Sequence, residues 1–384
     1  MNMVRPFNKG KWAIYLMAFL IGGAIGIIIP LTSTHMSKNH VSNFAIGVIA
    51  SVYFFAIALG TIFINKKMKN IDLKKFISVG LFISSACTIL FPFAKTPYVW
   101  FAIMCLIGFG ISFHLVGTQT ALHILSEEEI RGVTSGIYTL SFAIGYAVGT
   151  ISGPLIYEKN TLLSFITGAV FLIIASLIVL FKIKIKLTVV TYKKRRITQN
   201  ISLALQAAFS YGFIENTIAA LYPVFLLEHN FTVAQMGLAL GMFVIGGIVG
   251  TIPITYIGDK IGREKGLIIG VLISIIALLG ITKFNVFNYK LIFSFIAGIG
   301  IGSIYPISMA LGTQNLKKED IAVAASRFTF FYSFGSAAGP VLSSIIIDKF
   351  STKYLFSLSI TFLIALFVNI VYKSKNKKLV QGGK

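Results

Sequence analysis

IGVIASVYFFAIALGT, from Ile46 to Thr61, aligns without a gap with MGLALGMFVIGGIVGT, from Met236 to Thr251, 190 residues further along. Both runs are free of charge, and both extend towards the ~20 apolar residues that cross about 30 Å of hydrocarbon. Three more features recur in the same order. Pro30 has a counterpart in Pro223, Gly117-Thr118-Gln119 in Gly312-Thr313-Gln314, and Gly149-x-x-x-Gly153-Pro154 in Gly335-x-x-x-Gly339-Pro340. Such a repeat predicts two parallel copies of one helical bundle, related by an approximate two-fold axis along the membrane normal.

Composition agrees with a membrane setting. Apolar residues make up 56% of 384 positions, charged residues 12%, and the mean hydropathy is +0.86. A water-soluble domain cannot hide that much apolar surface. Twelve segments are long enough to span: 12–31, 43–64, 75–94, 97–120, 132–156, 161–181, 201–227, 232–257, 265–282, 289–312, 322–347 and 351–372. The expected fold is an all-α membrane protein of twelve transmembrane helices in two pseudo-symmetric six-helix bundles. Residues 1–181 form the first, 182–200 a basic cytoplasmic linker, and 201–384 the second.

The net charge of +22 raises the question of nucleic acid, but the distribution of charge answers it. With the N-terminus inside, 26 of the 34 Lys and Arg residues fall in inner loops and tails, 7 in outer ones, and Arg327 within a span. That asymmetry predicts cytoplasmic termini, and the twelve spans with abundant Lys, Ile, Phe and Asn point to a multi-pass protein of a bacterial cell membrane. Attraction to anionic lipid headgroups accounts for the surplus, so lipids and not nucleic acid are the expected partners. The first apolar run lacks an A-x-A-like cleavage site and reads as a retained span. Cys87 and Cys105 lie within apolar segments and read as small buried hydrophobes. No phosphate-cradling loop, metal-ligand spacing or paired intramembrane carboxylate is present, so neither enzyme chemistry, a cofactor nor a metal is expected.

One acidic side chain lies deep inside a span. Glu215 interrupts ISLALQAAFSYGFIENTIAALYPVFLLE, Ile201 to Glu228. A carboxylate near the bilayer centre costs roughly 3 kcal/mol, so it either lines a polar pathway and exchanges a proton or is hydrogen-bonded between helices.

The loop GDKIGREK, Gly258 to Lys265, resembles the cytoplasmic signature D-[RK]-x-G-R-[RK] of the major facilitator superfamily, with Glu264 in the last basic position. Pro223, Tyr305-Pro306, FYSFGSAAGP (Phe331 to Pro340) and Arg131-Gly132 are similar to features of its YcaD-type bacterial subfamily. The resemblance implies a cytoplasmic gate of Gly258, Asp259, Lys260, Gly262 and Arg263 that stabilises an outward-open state. The corresponding loop of the first half, KNIDLKK (Lys69 to Lys75), has lysine in the acid's place and Asp72 in the glycine's. Span four has Met104 where many proton-coupled exporters carry arginine, which leaves Glu215 as the sole candidate proton carrier. Gly145, Gly149, Gly153 and Pro154 partly resemble the antiporter signature. With Gly335, Gly339 and Pro340, they are the small residues that let helices approach closely.

In this superfamily spans one, four, seven and ten line a central cavity. The matching polar residues here are Tyr211, Asn216 and Tyr222 beside Glu215, then Ser112, His114 and Gln119, then Tyr305, Ser308 and Gln314. Arg327 either snorkels to the surface or faces the inward cavity. His114 is a helix bridge or a proton shuttle. His123 reads as interfacial, Glu127-Glu128-Glu129 as a solvated loop, and Glu158 as a surface cap. The expected function is secondary transport of a small molecule by alternating access in a monomer. Efflux of an amphipathic or cationic compound in exchange for protons is favoured over nutrient or metabolite uptake and over lipid or glycolipid translocation.

Overall fold

The computed structural model describes residues 11–67, 72–125, 131–182, 201–314 and 316–382. The linker, Lys69 and Glu127-Glu128-Glu129 lie outside them, as do the side chains of Gln119 and His123. Twelve long helices follow in order: α1 (Lys11–Lys38), α2 (Asn43–Lys67), α3 (Leu73–Leu90), α4 (Pro97–Leu125), α5 (Arg131–Lys159), α6 (Thr161–Lys182), α7 (Ser202–Glu228), α8 (Val233–Ile261), α9 (Arg263–Lys283), α10 (Phe287–Thr313), α11 (Lys318–Lys349) and α12 (Ser357–Gly382). Among the described residues there is no strand.

Eleven of these helices are long and apolar enough to cross a membrane. The exception is α7, whose 27 residues suffice in length but include Gln206, Glu215 and Asn216. Large apolar side chains such as Phe181, Ile252 and Phe330 are exposed, as expected where the solvent is lipid and not water.

The helices form two compact units. The first contains α1 to α6 together with Thr232–Gly241, the opening of α8; the second contains α7, the rest of α8 and α9 to α12. In the first unit, α1 packs on α5 and α6, α2 on α4, and α3 on α4 and α6. In the second, α7 packs on α10, α11 and α12, and α9 on α10 and α12. Residues 232–241 join the first unit through α5. Gly237 lies against Pro154 and the Thr150 carbonyl, Gly241 lies against Ile151, and Glu158 Oε1 accepts a 2.8 Å hydrogen bond from the Ala234 amide. Glu158 therefore caps another helix instead of only its own end.

The repeat extends to individual hydrogen bonds. After α1 the chain turns through His40 at φ 58°, and after α7 through Asn230 at φ 62°, the left-handed conformation that commonly stops a helix. The next helix is capped alike in each sequence repeat: Ser42 Oγ accepts from the Ala45 amide at 3.3 Å and Thr232 Oγ1 from the Gln235 amide at 3.2 Å. All these pairs are 190 residues apart.

Glycines set the closest helix contacts. A methyl group on Gly145 or Gly149 would overlap the carbonyl oxygens of Phe19 and Gly23 on α1. On Gly335 or Gly339 it would overlap those of Phe209 and Phe213 on α7. These contacts correct the register of the sequence motifs. Gly145 is equivalent to Gly335 and Gly149 to Gly339, so the recurring Gly-Pro motifs are one helical turn out of step. Likewise Gly108 against the Tyr53 carbonyl matches Gly298 against that of Phe243. The two Gly-Thr-Gln triplets are therefore not equivalent. Gly153 packs on the Ile27 side chain, and Pro340 is buried beside Gly339.

Candidate functional site

Helix α7 turns Glu215 and Asn216 towards α11 and Tyr222 towards α10, where they find partners. Tyr211 lies one turn before Glu215, and its hydroxyl donates to Glu215 Oε1 at 2.7 Å. The Tyr332 hydroxyl, reaching in from α11, donates to Oε2 at 3.0 Å. Both carboxylate oxygens thus accept from neutral phenols, the type of compensation a group removed from water requires.

The tyrosine rings also touch one another. Tyr211 and Tyr305 have centroids 5.2 Å apart, Tyr211 and Tyr332 5.7 Å, and Tyr305 and Tyr332 5.6 Å. Behind them the buried Phe328 meets Tyr305 edge to face at 5.0 Å. Glu215, Tyr211, Tyr305 and Tyr332 are all half-buried, so part of each remains accessible.

Tyr332 was not among the residues expected at the cavity, although it lies within the FYSFGSAAGP stretch. Glu215, Tyr211, Tyr305 and Tyr332 occupy the positions of Ile25, Ile21, Leu115 and Phe142 in the first unit. The second unit alone carries this polar group.

Other candidate residues have different surroundings. Asn216 is buried, donating to the Gly212 carbonyl at 3.0 Å and to Ser336 Oγ at 2.8 Å, which ties α7 to α11. Tyr222 is fully enclosed and hydrogen-bonds Ser294 of α10 at 3.0 Å. Ser112 and Ser308 are buried and return their hydroxyls to their own helices, at the carbonyls of Phe109 and Tyr305. Asn216 and Tyr222 thus tie helices together, and Ser112 and Ser308 spend their hydroxyls within their own helices. His114 is likewise enclosed: Nδ1 pairs with Thr118 Oγ1 at 2.9 Å and Nε2 with Tyr138 Oη at 3.4 Å, bridging α4 to α5. Arg327 is exposed on α11.

The loop Gly258 to Arg263 forms a second polar centre. Gly262, at φ 105°, makes the turn between α8 and α9 that a side chain would strain. The Cα atoms of Gly258 and Gly266 sit close together beneath it. Arg263 Nε pairs with Asp259 Oδ1 at 3.2 Å, while its Nη1 donates to the Ala310 carbonyl at 2.8 Å and to Gln314 Oε1 at 3.2 Å. Gln314 therefore belongs with this loop and not with the tyrosine group. Lys260 lies over the Tyr256 ring at 4.5 Å. In the first unit Asp72 occupies the position of Gly262 and caps α3, accepting from the Lys74 amide at 3.2 Å. Among the described residues no three metal-ligating side chains converge.

Comparison with known proteins gives consistent matches. The sequence profile of the Major Facilitator Superfamily matches residues 14–210 and 203–382. The chain is 26% identical over 356 residues to the uncharacterized MFS-type transporter YfkF of Bacillus subtilis (strain 168), covering 89% of each chain. It is 24% identical over 364 residues to the uncharacterized MFS-type transporter YcaD of Shigella flexneri, covering 92% of this chain and 94% of that one. Among solved structures it resembles the nucleoside transporter NupG, with a TM-score of 0.75, 13% identity, and coverage of 97% of this chain and 99% of that one. It also resembles an inward-facing bacterial homologue of the human lysosomal transporter Spinster, with a TM-score of 0.72, 15% identity, and coverage of 97% and 95%.

Proposed function

Because the chain belongs to the major facilitator superfamily, and is a multi-pass secondary transporter and not an enzyme, we propose that it exports a small amphipathic or cationic compound in exchange for protons. The observation that carries this reading is the half-buried carboxylate of Glu215, held by Tyr211 and Tyr332. Neutral donors satisfy its oxygens without neutralising its charge. A proton or a cationic substrate can supply the missing positive charge, but a single carboxylate balances only one at a time. Competition for one charge is sufficient to couple two fluxes. Its counterpart Ile25 offers no second acid, so one proton exchanges for one positive charge at this site.

The Asp259–Arg263 pair supports alternating access. It joins the α8–α9 turn to the end of α10 through contacts that a change in helix position would break. Close contacts such as those of Gly335 and Gly339 of α11 against the backbone of α7 keep the helices close enough to move as a body.

The test uses proteoliposomes with an imposed pH gradient and a panel of radiolabelled organic cations, benzyltrimethylammonium among them. The wild-type protein should move at least one of them against its gradient. Glu215→Gln should insert and fold normally but reduce gradient-driven movement to that of empty liposomes. Undiminished pH-driven transport by that variant would rule out Glu215 as the carrier.

A further inference from the structure

Helix α8 is held at two levels by two different partners. Residues Thr232–Gly241, its N-cap and first turns, group with α1 to α6 and lie on α5, with Gly237 against Pro154 and Gly241 against Ile151. Further along, Gly246 meets the Phe295 carbonyl and Gly250 meets Ile299, both on α10. A displacement that carries α8 with α10 therefore has to part its first turns from α5. Across that contact runs a charge-assisted bond, from the Ala234 amide to Glu158 Oε1 at 2.8 Å. We infer that Glu158 is a latch: it holds together the ends of α5 and α8 that lie opposite the Gly258–Arg263 turn, and its release admits the conformation in which they separate. In this role Glu158 is a positioning residue that acts through α8, and the inference does not depend on what Glu215 carries.

Capping alone does not call for this acid. The first turn of α8 carries its own reciprocal cap: Thr232 Oγ1 accepts from the Gln235 amide at 3.2 Å, and Gln235 Oε1 accepts from the Thr232 amide at 2.9 Å. Glu158 adds an acceptor from 76 residues away, at a helix start where the amides carry partial positive charge. A local cap stabilises one helix, whereas an acceptor supplied by another helix also fixes where the two lie. The acid recurs with the fold: at the 190-residue offset Asp348 stands one residue before the end of α11, as Glu158 does in α5.

Both sides of the bond are anchored. The neighbouring Tyr157 is buried, shares a 3.0 Å hydrogen bond with His35 Nδ1 of α1, and lies edge-on to Phe165 of α6 at 6.3 Å. Glu158 therefore extends from an end of α5 that is tied to α1 and α6. On the other side, the reciprocal cap sets the direction of the Ala234 amide. A bond between two preset groups is made in full or lost, which suits a contact with two states. The glycine packing beneath it is close but less directional, so it permits the sliding that the hydrogen bond resists.

The experiment is hydrogen–deuterium exchange of the purified full-length protein in detergent, read by mass spectrometry at both ends of the two helices. Glu158→Ala removes the acceptor, and Ala234→Pro removes the donor at a first-turn position that tolerates proline. In each variant, residues 151–159 and 233–241 should exchange about fivefold faster, the scale of a carboxylate at a helix N-terminus. Residues 132–139 and 254–262, at the opposite ends, include the exposed Gly136 and Tyr256. They should exchange more slowly in the same samples, because alternating access closes one side as it opens the other. The double substitution should go no further than either single one. Thermal unfolding identifies a variant that fails to fold, and the other then carries the test alone. Faster exchange confined to 151–159 and 233–241 would make Glu158 only a cap, and unchanged exchange at both ends would make it only a surface charge. Either result overturns the inference, as does a coupled change in only one of two folded variants.

Discussion

Trp100 and Lys290 stand 190 residues apart and make the same hydrogen bond with different chemistry. The Trp100 indole donates to the Phe91 carbonyl at 3.1 Å, and the Lys290 ammonium donates to the Ile281 carbonyl at 2.5 Å. Each ties the start of one helix, α4 or α10, to the end of the one before it. Their neighbours differ in the opposite sense. His35 lies edge-on to Trp100 at 6.2 Å, whereas at the position of His35 the second unit has Phe225, with the Lys290 ammonium 4.7 Å from its ring centroid.

Lys290 is fully buried, and its bond satisfies a carbonyl that α9 leaves open at its C-terminal end. Replacing Lys290 by methionine keeps much of the bulk and removes the donor. Leaving that carbonyl unsatisfied should cost about 1–3 kcal/mol. Thermal unfolding in detergent should show the loss. A transition at the wild-type temperature would mean that the carbonyl finds another partner.

A smaller effect on stability and a larger one on movement are expected at the α8–α9 turn. The Asp259–Arg263 pair is largely exposed, so Asp259→Asn should cost less than ~1 kcal/mol. The same substitution should slow turnover and reduce labelling of engineered cysteines from the outer side, as the outward-open state loses population. Arg263→Ala should act more strongly, since it also removes the bonds to Ala310 and Gln314. Labelling unchanged in both variants would leave the loop with a topological role only.

Orientation follows from charge. With 26 basic residues on one side against 7 on the other, both termini and the 182–200 linker should face the cytosol. Reporter fusions after Arg196 and after Lys384 read this directly. An extracytoplasmic signal from either would reverse the assignment, and with it the side on which Asp259 lies.

Much of this was legible in the sequence, and the exceptions have physical causes. Helix α2 starts at Asn43 and α4 at Pro97, where the apolar runs start, because apolarity and helix length are set by the same solvent. Glu215 was legible because one charge in a long apolar run is conspicuous. Its partner Tyr332 was not, since 117 positions separate the two and only the packing of α11 on α7 brings them together. The glycine motifs misled by one turn because small residues four apart look alike at every turn; only the carbonyls they touch distinguish them. Asn216 and Tyr222 share a helix with Glu215, but sequence spacing does not say which polar groups a neighbouring helix will satisfy.

The polarity of α7 also bears on how the chain is assembled. A nascent helix with Gln206, Glu215 and Asn216 gains less from dissolving in lipid than any of its eleven counterparts. The helices that satisfy those groups, α11 and α12, are both made after it. During synthesis α7 therefore passes through a stage in which Glu215 lacks Tyr332 and Gln206 lacks Asn369. Until the last third of the chain is complete, its stable position in the bilayer depends on water, on the insertion machinery, or on protonation of Glu215 itself.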